Sequence, residues 1–283
     1  MASPIRICFE HFMGSFLVFS IMGLLNFKQN LTTFGMNAFI FSVSAIMIIT
    51  LIKIAFTDEV FKISLRAALL GGIFSLGFYI YFVAPAHIKI FGLYMSVMAF
   101  FHVSEFIAIA IVQPNQVSTD SFVLNHSPQY TIAAVTSWIE FFIEAMFFPG
   151  SKQYFIIAYI GFAICVIGEF LRKLAMFTAG GNFSHLVQYE KAKDHVLVTK
   201  GVYSWFRHPS YVGWFYWAIG TQILLLNPIC IPAYAIVSWI FFNSRISTEE
   251  EMLLKFFNQQ YVNYQKKVGT GLPFIKGFEK QQD

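Results

Sequence analysis

Two short polar segments carry the residues with the clearest capacity for chemistry in this chain. The first is Arg207-His208-Pro209-Ser210-Tyr211-Val212-Gly213, and the second is Glu249-Glu250-Glu251. Both lie beside long apolar stretches, where membrane helices would meet water. Polar and charged groups at a bilayer edge cost free energy unless they are paired or bind a ligand. We therefore expect these two segments to contribute to one ligand site.

The composition identifies a polytopic membrane protein. Hydrophobic residues make up 57% of the chain and charged residues only 12%, against about 25% charged in an average soluble domain. The mean hydropathy is +0.62. Cys8, Cys165 and Cys230 lie far apart in apolar surroundings, so we expect buried thiols rather than a disulfide framework or a zinc site. Neither a metal nor a nucleic-acid partner is expected.

Eight apolar segments approach the length that crosses a bilayer, for which a helix needs about 20 residues. They are residues 9–25, 36–56, 65–83, 90–112, 130–148, 154–177, 211–226 and 229–242. The last two are separated only by Asn227-Pro228, which predicts a tight helical hairpin. The predicted fold is therefore all-α, a polytopic integral membrane protein with about eight transmembrane helices.

The basic residues predict the orientation of these helices. With eight spans, 16 of the 19 lysines and arginines lie on one side of the membrane and 3 on the other. Basic residues favour the cytosolic side, so both termini and both polar segments are expected in the cytosol. Within one integrated membrane domain, we expect residues 1–150 to be N-terminal transmembrane helices and residues 151–283 to be the catalytic region with the hairpin.

Several ionisable residues fall inside the apolar segments. They are His102, Glu105, Glu140, Glu144 and Glu169. A transporter could use such groups as a relay, because charges in lipid face the helix bundle or a water-filled path. Five scattered residues define no pathway, and we favour polar pairs that fix helix packing.

The segment from Gly180 onward carries most of the water-facing chemistry. Gly180-Gly181-Asn182 predicts a turn and not a dinucleotide site, because the G-x-G-x-x-G spacing is absent. Pro209 favours an extended His208 and can begin the next helix. A purely structural interpretation also exists, in which Arg207 and the aromatics before it form an interfacial belt that contacts lipid headgroups.

The acidic segment also has structural interpretations. Apolar residues at helical spacing predict an amphipathic helix along the membrane surface; they are Met252, Leu253, Phe256, Phe257, Tyr261 and Tyr264. Thr248 and Glu251 fit a capping box at the start of that helix. Arg245 and Glu249 would instead be an ordinary i,i+4 pair if the preceding helix continued unbroken.

A longer set of motifs resembles the isoprenylcysteine carboxyl methyltransferases. The motifs are His195-Val196-Leu197-Val198-Thr199-Lys200-Gly201-Val202-Tyr203, the arginine segment extended to Trp214, Glu249-Glu250 with the aromatic positions that follow, and Gly271-Leu272-Pro273-Phe274-Ile275. The resemblance covers about residues 180–275. Asn258 and Gly269 depart from it, standing where glycine and proline are common.

The resemblance implies an enzyme of the endoplasmic reticulum membrane that uses S-adenosylmethionine. It would methylate the C-terminal carboxylate of a prenylated cysteine in CaaX-processed proteins such as Ras-like GTPases and lamins. Such a carboxylate is ionised at neutral pH, so no general base is needed. The task of the protein is then in-line positioning and the removal of water.

The resemblance also implies the roles of individual residues. Cofactor binding is assigned to Gln188, His195, Val196, Leu197, Val198, Tyr203, His208, Pro209, Ser210, Tyr211 and Glu249. Arg245 is the expected catalytic and substrate-binding residue, which would orient the acceptor carboxylate through its guanidinium.

Three alternatives remain open at this stage. A phospholipid N-methyltransferase would need a neutral amine nucleophile and a base, and it would have less use for Arg245. A sterol reductase would need a phosphate site for NADPH, for which no second basic group is evident. A transporter would leave the cluster of His208 and Glu249 unexplained.

Overall fold

The computed structural model describes residues 3–26, 48, 51–53, 58–124 and 127–278. The chain divides into two compact units, Met1–Ala158 and Tyr159–Asp283. The described residues are mainly helical, and the predicted all-α class is confirmed. The predicted segment 36–56 lies almost entirely outside the described residues. The predicted boundary between residues 150 and 151 stays a prediction about function.

The described part of the first unit contains four long helices and the start of a fifth. They are α1 (Pro4–Asn26), α2 (Asp58–Val83), α3 (Ala86–Val112), α4 (Pro128–Phe147) and α5 (Phe155–Ala179). Small residues let α2 and α3 approach closely, because a Cβ atom on Gly77 would lie 2.5 Å from the Gly92 carbonyl oxygen. Such contacts are typical of helices that associate in membranes.

The second unit contains the rest of α5 and the helices α6 (Pro209–Leu225), α7 (Cys230–Phe257) and α8 (Gln259–Gln265). Glycines set the approach of α5 to α6, because a Cβ atom on Gly168 would lie 2.6 Å from the Gly213 carbonyl oxygen. This contact places the first turn of α6 beside the last turns of α5. The polar segment that precedes α6 is thereby fixed against α5.

The predicted hairpin is present between α6 and α7. Leu226 ends α6 with a left-handed backbone, φ 57°. The buried amide of Asn227 donates to Gln222 Oε1 at 3.1 Å, which satisfies polar groups in the tight turn. The chain therefore reverses within a few residues, and α7 returns to the end of the unit that holds Arg207 and His208.

Helix α7 is longer than the sequence pattern predicts. It runs without a break to Phe257, because neither glycine nor proline interrupts it after Pro232. The prediction of a capping box at Thr248 is therefore wrong, because Thr248 lies inside a continuous helix. Its hydroxyl donates instead to the Ser244 carbonyl at 3.1 Å. Of the predicted amphipathic surface helix, only the part after Asn258 is a separate helix, α8. A kink at Asn258, with φ 44°, separates it from α7. That left-handed backbone explains why glycine suits this position.

Among the residues that the structure describes, five helices are long and apolar enough to cross a membrane. They are Pro4–Ile21, Asp58–Val83, Ala86–Val112, Pro128–Phe147 and Phe155–Asn182. A multi-pass membrane fold is therefore confirmed. The count of eight spans and the cytosolic orientation stay predictions.

Several of the ionisable residues within the helices are engaged in local polar pairs, as favoured above. Glu144 pairs with the buried Lys152 at 2.8 Å, and Glu169 pairs with Lys173 at 2.8 Å. The His102 ring hydrogen-bonds the Phe122 carbonyl at 2.9 Å. The three cysteines are buried free thiols, as predicted.

Candidate active site

The segment that precedes α6 is fixed by the C-terminal part of the second unit. The backbone N–H of Arg207 donates to the Gly269 carbonyl at 2.8 Å, and that of His208 donates to the Thr270 carbonyl at 3.3 Å. Pro209 begins α6 as its first residue, where its missing N–H leaves no helical bond unmade. His208 is therefore presented at the start of a helix by two separate parts of the chain.

The centre of the site is the buried carboxylate of Glu250. Its Oε1 atom accepts from Arg207 Nε at 2.7 Å, from His208 Nε2 at 3.0 Å and from the Tyr261 hydroxyl at 3.0 Å. Its Oε2 atom accepts from Gln265 Nε2 at 3.0 Å and from the Phe278 backbone N–H at 2.9 Å. Both oxygens are thus satisfied, as a buried charge requires.

This network stabilises the charged form of Glu250. Burial by itself would raise the pKa of the carboxyl group, but the hydrogen bonds and charges of His208 and Arg207 outweigh it and lower the pKa to about 2. The carboxylate therefore stays ionised at neutral pH. The contact with Glu250 is made by Nε2 of His208, and the other ring nitrogen, Nδ1, lies 3.8 Å from Glu249 Oε1.

Tyr211 links the two arms of the hairpin. Its hydroxyl donates to Glu249 Oε2 and accepts from Arg245 Nε at 2.8 Å. Its ring stacks on the His208 ring, with centroids 5.5 Å apart and planes inclined by 2°. Arg245 and Glu249 therefore meet through Tyr211, and the i,i+4 ion pair suggested by their spacing is replaced by these contacts.

Two residues near this group, the buried Arg172 and the half-buried His185, are absent from the predicted site. Arg172 on α5 donates to the Ser210 hydroxyl at 2.7 Å and lies over the Trp214 ring, 4.6 Å from its centroid. The His185 carbonyl accepts from Arg245 Nη2. An arginine inside an apolar helix is a detectable signal of function, whereas His185 lies in no recognisable motif.

An open cleft brings the predicted cofactor residues together. All eleven line it: Gln188, His195, Val196, Leu197, Val198, Tyr203, His208, Pro209, Ser210, Tyr211 and Glu249. The empty space between these residues is about 860 Å³, which includes the open mouth of the cleft. The sequence interpretation assigned no cofactor role to Asn182, Phe183, Met252, Phe256, Tyr261 or Tyr264, which also line the cleft.

One wall of the cleft is the loop from residue 184 to residue 198. The Val196 backbone N–H donates to Asn182 Oδ1 at 2.8 Å, and Gln188 Nε2 donates to the Ser184 hydroxyl at 2.8 Å. The His195 ring packs edge-on against Phe257, with centroids 5.1 Å apart. Burial and the nearby positive charge of Lys191 lower the pKa of His195, so its ring is neutral at pH 7.

Two tyrosines complete the cleft on the opposite side. The Tyr264 hydroxyl donates to the Tyr203 carbonyl, which fixes α8 to the segment before α6. Burial raises the pKa of both phenols, and the charge of Glu249 raises that of Tyr203 further. Both hydroxyls therefore remain protonated and able to donate hydrogen bonds at neutral pH.

This arrangement suits the binding and orientation of charged small molecules. A carboxylate, two imidazoles, the guanidinium of Arg207 and several aromatic rings line one cleft, and the guanidinium of Arg245 contacts Tyr211 beside it. These groups can hold a charged molecule in a fixed orientation.

Comparison with known proteins identifies the family. The model of the isoprenylcysteine carboxyl methyltransferase family matches residues 159–255. A protein-S-isoprenylcysteine O-methyltransferase of Tribolium castaneum is 59% identical over 99% of this chain and 100% of its own length. The Homo sapiens protein of that name is 51% identical over 77% of this chain and 76% of its own. The chain belongs to the isoprenylcysteine carboxyl methyltransferase family.

Structural comparison agrees with this family. A solved structure of the eukaryotic intramembrane Ras methyltransferase, an isoprenylcysteine carboxyl methyltransferase, superimposes with a TM-score of 0.95. It is 57% identical and covers 99% of this chain and 100% of its own. The resemblance stated from the sequence is confirmed, and the protein is a membrane-embedded methyltransferase. The phospholipid methyltransferase, sterol reductase and transporter alternatives find no support.

Proposed function

We propose that the cleft binds S-adenosylmethionine and that the protein transfers its methyl group to the C-terminal carboxylate of a prenylated cysteine. The acceptors are CaaX-processed proteins such as Ras-like GTPases and lamins. One observation carries this proposal: the eleven residues assigned to the cofactor line one cleft, and Tyr211 connects that cleft to Arg245.

The donor and acceptor groups of the cleft fit the cofactor. Glu249, 28% exposed at its side chain, can accept hydrogen bonds from the amino group of the cofactor. His208 and nearby backbone N–H groups can meet its carboxylate. Val196 and Phe256 offer an apolar wall for the adenine ring, and the Tyr203 ring can face a sulfonium through a cation–π contact.

The residues of this chain position and desolvate the reacting groups. When bound, S-adenosylmethionine supplies a methyl group on a sulfonium sulfur, whose C–S bond breaks as the C–O bond of the ester forms. Arg245 uses Nε and Nη2 to contact Tyr211 and His185, so Nη1 can orient the acceptor carboxylate. One contact from Nη1 is enough to orient the acceptor carboxylate, and it leaves most of the negative charge on the attacking oxygen. The acceptor is already ionised, so no side chain removes a proton.

The acceptor is half lipid and half peptide, which favours a site at the membrane boundary. Its prenyl tail dissolves in hydrocarbon, whereas its carboxylate must reach a water-soluble cofactor. We infer that the protein lies in the endoplasmic reticulum membrane with both termini and the cleft in the cytosol. The division of basic residues, 16 against 3, supports this orientation.

A methyl-transfer assay tests the proposal directly. Purified protein in lipid nanodiscs is supplied with methyl-labelled S-adenosylmethionine and N-acetyl-S-farnesylcysteine, and base-labile methyl ester is measured. N-acetylcysteine without the farnesyl group is the matched acceptor control, and phosphatidylethanolamine tests the lipid alternative. We expect ester only with the farnesylated acceptor. Base-stable label in the phospholipid, or none in the farnesylated acceptor, would reject the proposal.

A further inference from the structure

A short C-terminal strap crosses the back of the site. The strap consists of Lys276, Gly277 and Phe278, and it lies against the buried Glu250 carboxylate. The Phe278 backbone N–H donates to Glu250 Oε2 at 2.9 Å, and the Lys276 carbonyl accepts from Arg207 Nη2 at 2.7 Å. The Phe278 carbonyl accepts from Gln265 Nε2 at 2.9 Å. The strap is thus held by three backbone contacts with residues that surround Glu250, and by the Phe278 side chain, which packs against the apolar cluster of Leu254, Phe257, Tyr261 and Tyr264.

Gly277 is required by two independent features of this contact. Its φ is +87°, a left-handed backbone that side chains disfavour. A Cβ atom there would lie 2.0 Å from Glu250 Oε2 and 2.9 Å from Arg207 Nη2. Any side chain at this position would therefore displace the carboxylate or push the strap away from it.

The orientation of Glu250 reaches the cleft through three of its partners. The Oε1 atom accepts from Arg207 Nε, His208 Nε2 and the Tyr261 hydroxyl. All three residues line the cleft, while Glu250 itself does not. Rotation of the carboxylate about its long axis would move Oε1 away from all three. The strap opposes that rotation because it supplies a donor to the other oxygen.

We propose that the strap is a positioning element of the cofactor site, in which Gly277 and the Phe278 N–H hold Glu250 so that His208 and Tyr261 face the cofactor. This inference rests on the proposed use of the cleft by S-adenosylmethionine. None of the three strap residues lines the cleft, so they act on binding through the residues that they contact, chiefly Glu250 and Arg207.

The test compares two glycine substitutions, one in the strap and one far from it in the sequence. Gly277→Ala is expected to raise the dissociation constant and the KM for S-adenosylmethionine about tenfold, the scale of one lost hydrogen bond to a charged group. The KM for N-acetyl-S-farnesylcysteine and the kcat at saturating cofactor should stay within about twofold. The second substitution, Gly150→Ala, is the control outside the C-terminal segment, because a Cβ atom there also meets nothing within 4 Å and the residue takes no part in the site. It should leave all three constants unchanged.

A compensating change separates positioning from general destabilisation. Glu250→Asp shortens the side chain and makes room for a Cβ atom at residue 277. The double variant Gly277→Ala, Glu250→Asp should therefore bind the cofactor no more weakly than Glu250→Asp alone, a non-additive result expected for residues in contact. Additive losses would contradict the proposal.

The melting temperature of each variant shows whether it is folded, which separates a loss of folding from a loss of cofactor binding. A folded Gly277→Ala protein with wild-type cofactor affinity would overturn the inference. If that variant does not fold, Phe278→Pro removes the strap N–H, with Phe278→Ala as the control for the lost phenyl ring. The same two outcomes then apply to the difference between the cofactor affinities of these two variants. Failure of the unmodified protein to bind S-adenosylmethionine would instead refute the proposed function.

Discussion

Arg245 donates a hydrogen bond from Nε to the Tyr211 hydroxyl at 2.8 Å, which joins the two arms of the α6–α7 hairpin. The same hydroxyl donates to Glu249. One phenol therefore connects the cation proposed for the acceptor with the carboxylate proposed for the cofactor. In-line methyl transfer requires that the two substrates be aligned. In this arrangement the Tyr211 side chain would align them, because it contacts a residue proposed for each.

The first prediction concerns the acceptor side of this link. Arg245→Ala should lower kcat/KM for N-acetyl-S-farnesylcysteine by about a hundredfold, because the carboxylate loses the group that orients it. Binding of S-adenosylmethionine should change by less than about threefold. Arg245→Lys should recover only part of the activity, since lysine is a point charge without the planar fork. Wild-type turnover in the alanine variant would remove Arg245 from the mechanism.

The second prediction concerns the cofactor side. His208→Ala and Glu249→Ala should each weaken S-adenosylmethionine binding by about ten- to a hundredfold, because each leaves a charged cofactor group short of a hydrogen-bond partner. Glu251→Gln is the matched control, since Glu251 is paired with Lys255 at 2.7 Å on the exposed side of α7. Calorimetric titration measures the three affinities. Equal binding by all three variants, with early melting of the first two, would indicate a structural role alone.

The third prediction concerns acid sensitivity. The pKa of Glu250 in the folded protein is about 2, below its ordinary value of 4.5. Its stabilising contribution is therefore fully present above about pH 4.5 and is lost as the pH falls through about 2. Glu250→Gln should melt well below the wild-type protein at pH 7, and the difference should shrink between pH 4.5 and pH 2. A constant difference over that range would show that Glu250 is not stabilised as its charged form.

The fourth prediction concerns orientation in the membrane. In a cysteine-free background, single cysteines at Lys193 and Lys266 should react with an impermeant reagent outside sealed microsomes. A cysteine at Gln153 should require permeabilisation. Gln153 is preferred to the adjacent Lys152, whose side chain is fully buried against Glu144. Labelling of residues 193 and 266 from opposite sides would contradict the hairpin.

Much of the fold and of the cleft could be predicted from the sequence. The lengths of the apolar segments predicted the long helices, and Asn227-Pro228 predicted the hairpin. The motif resemblance selected cofactor residues that do share one cleft, although their roles stay predictions. These signals are local in the sequence, either as periodicity or as short motifs.

Other features depend on contacts between distant parts of the chain. Nothing near Glu250 in the sequence indicates that Phe278 will donate to it, because that bond spans 28 residues. Arg172 meets Ser210 only because Gly168 and Gly213 allow α5 and α6 to approach closely. The sequence predicted the wrong end for α7. Polar residues after residue 242 suggested that a new helix starts there, whereas they continue α7 beyond its apolar part.

Ultraviolet cross-linking of methyl-labelled S-adenosylmethionine to the protein in nanodiscs tests the central claim most directly. Peptide mapping locates the label, and excess S-adenosylhomocysteine identifies the specific fraction. We expect the competed label within residues 182–211 or 245–264, and its loss in His208→Ala. Competed label confined to residues 1–158 would contradict the assignment of this cleft as the methyl-donor site.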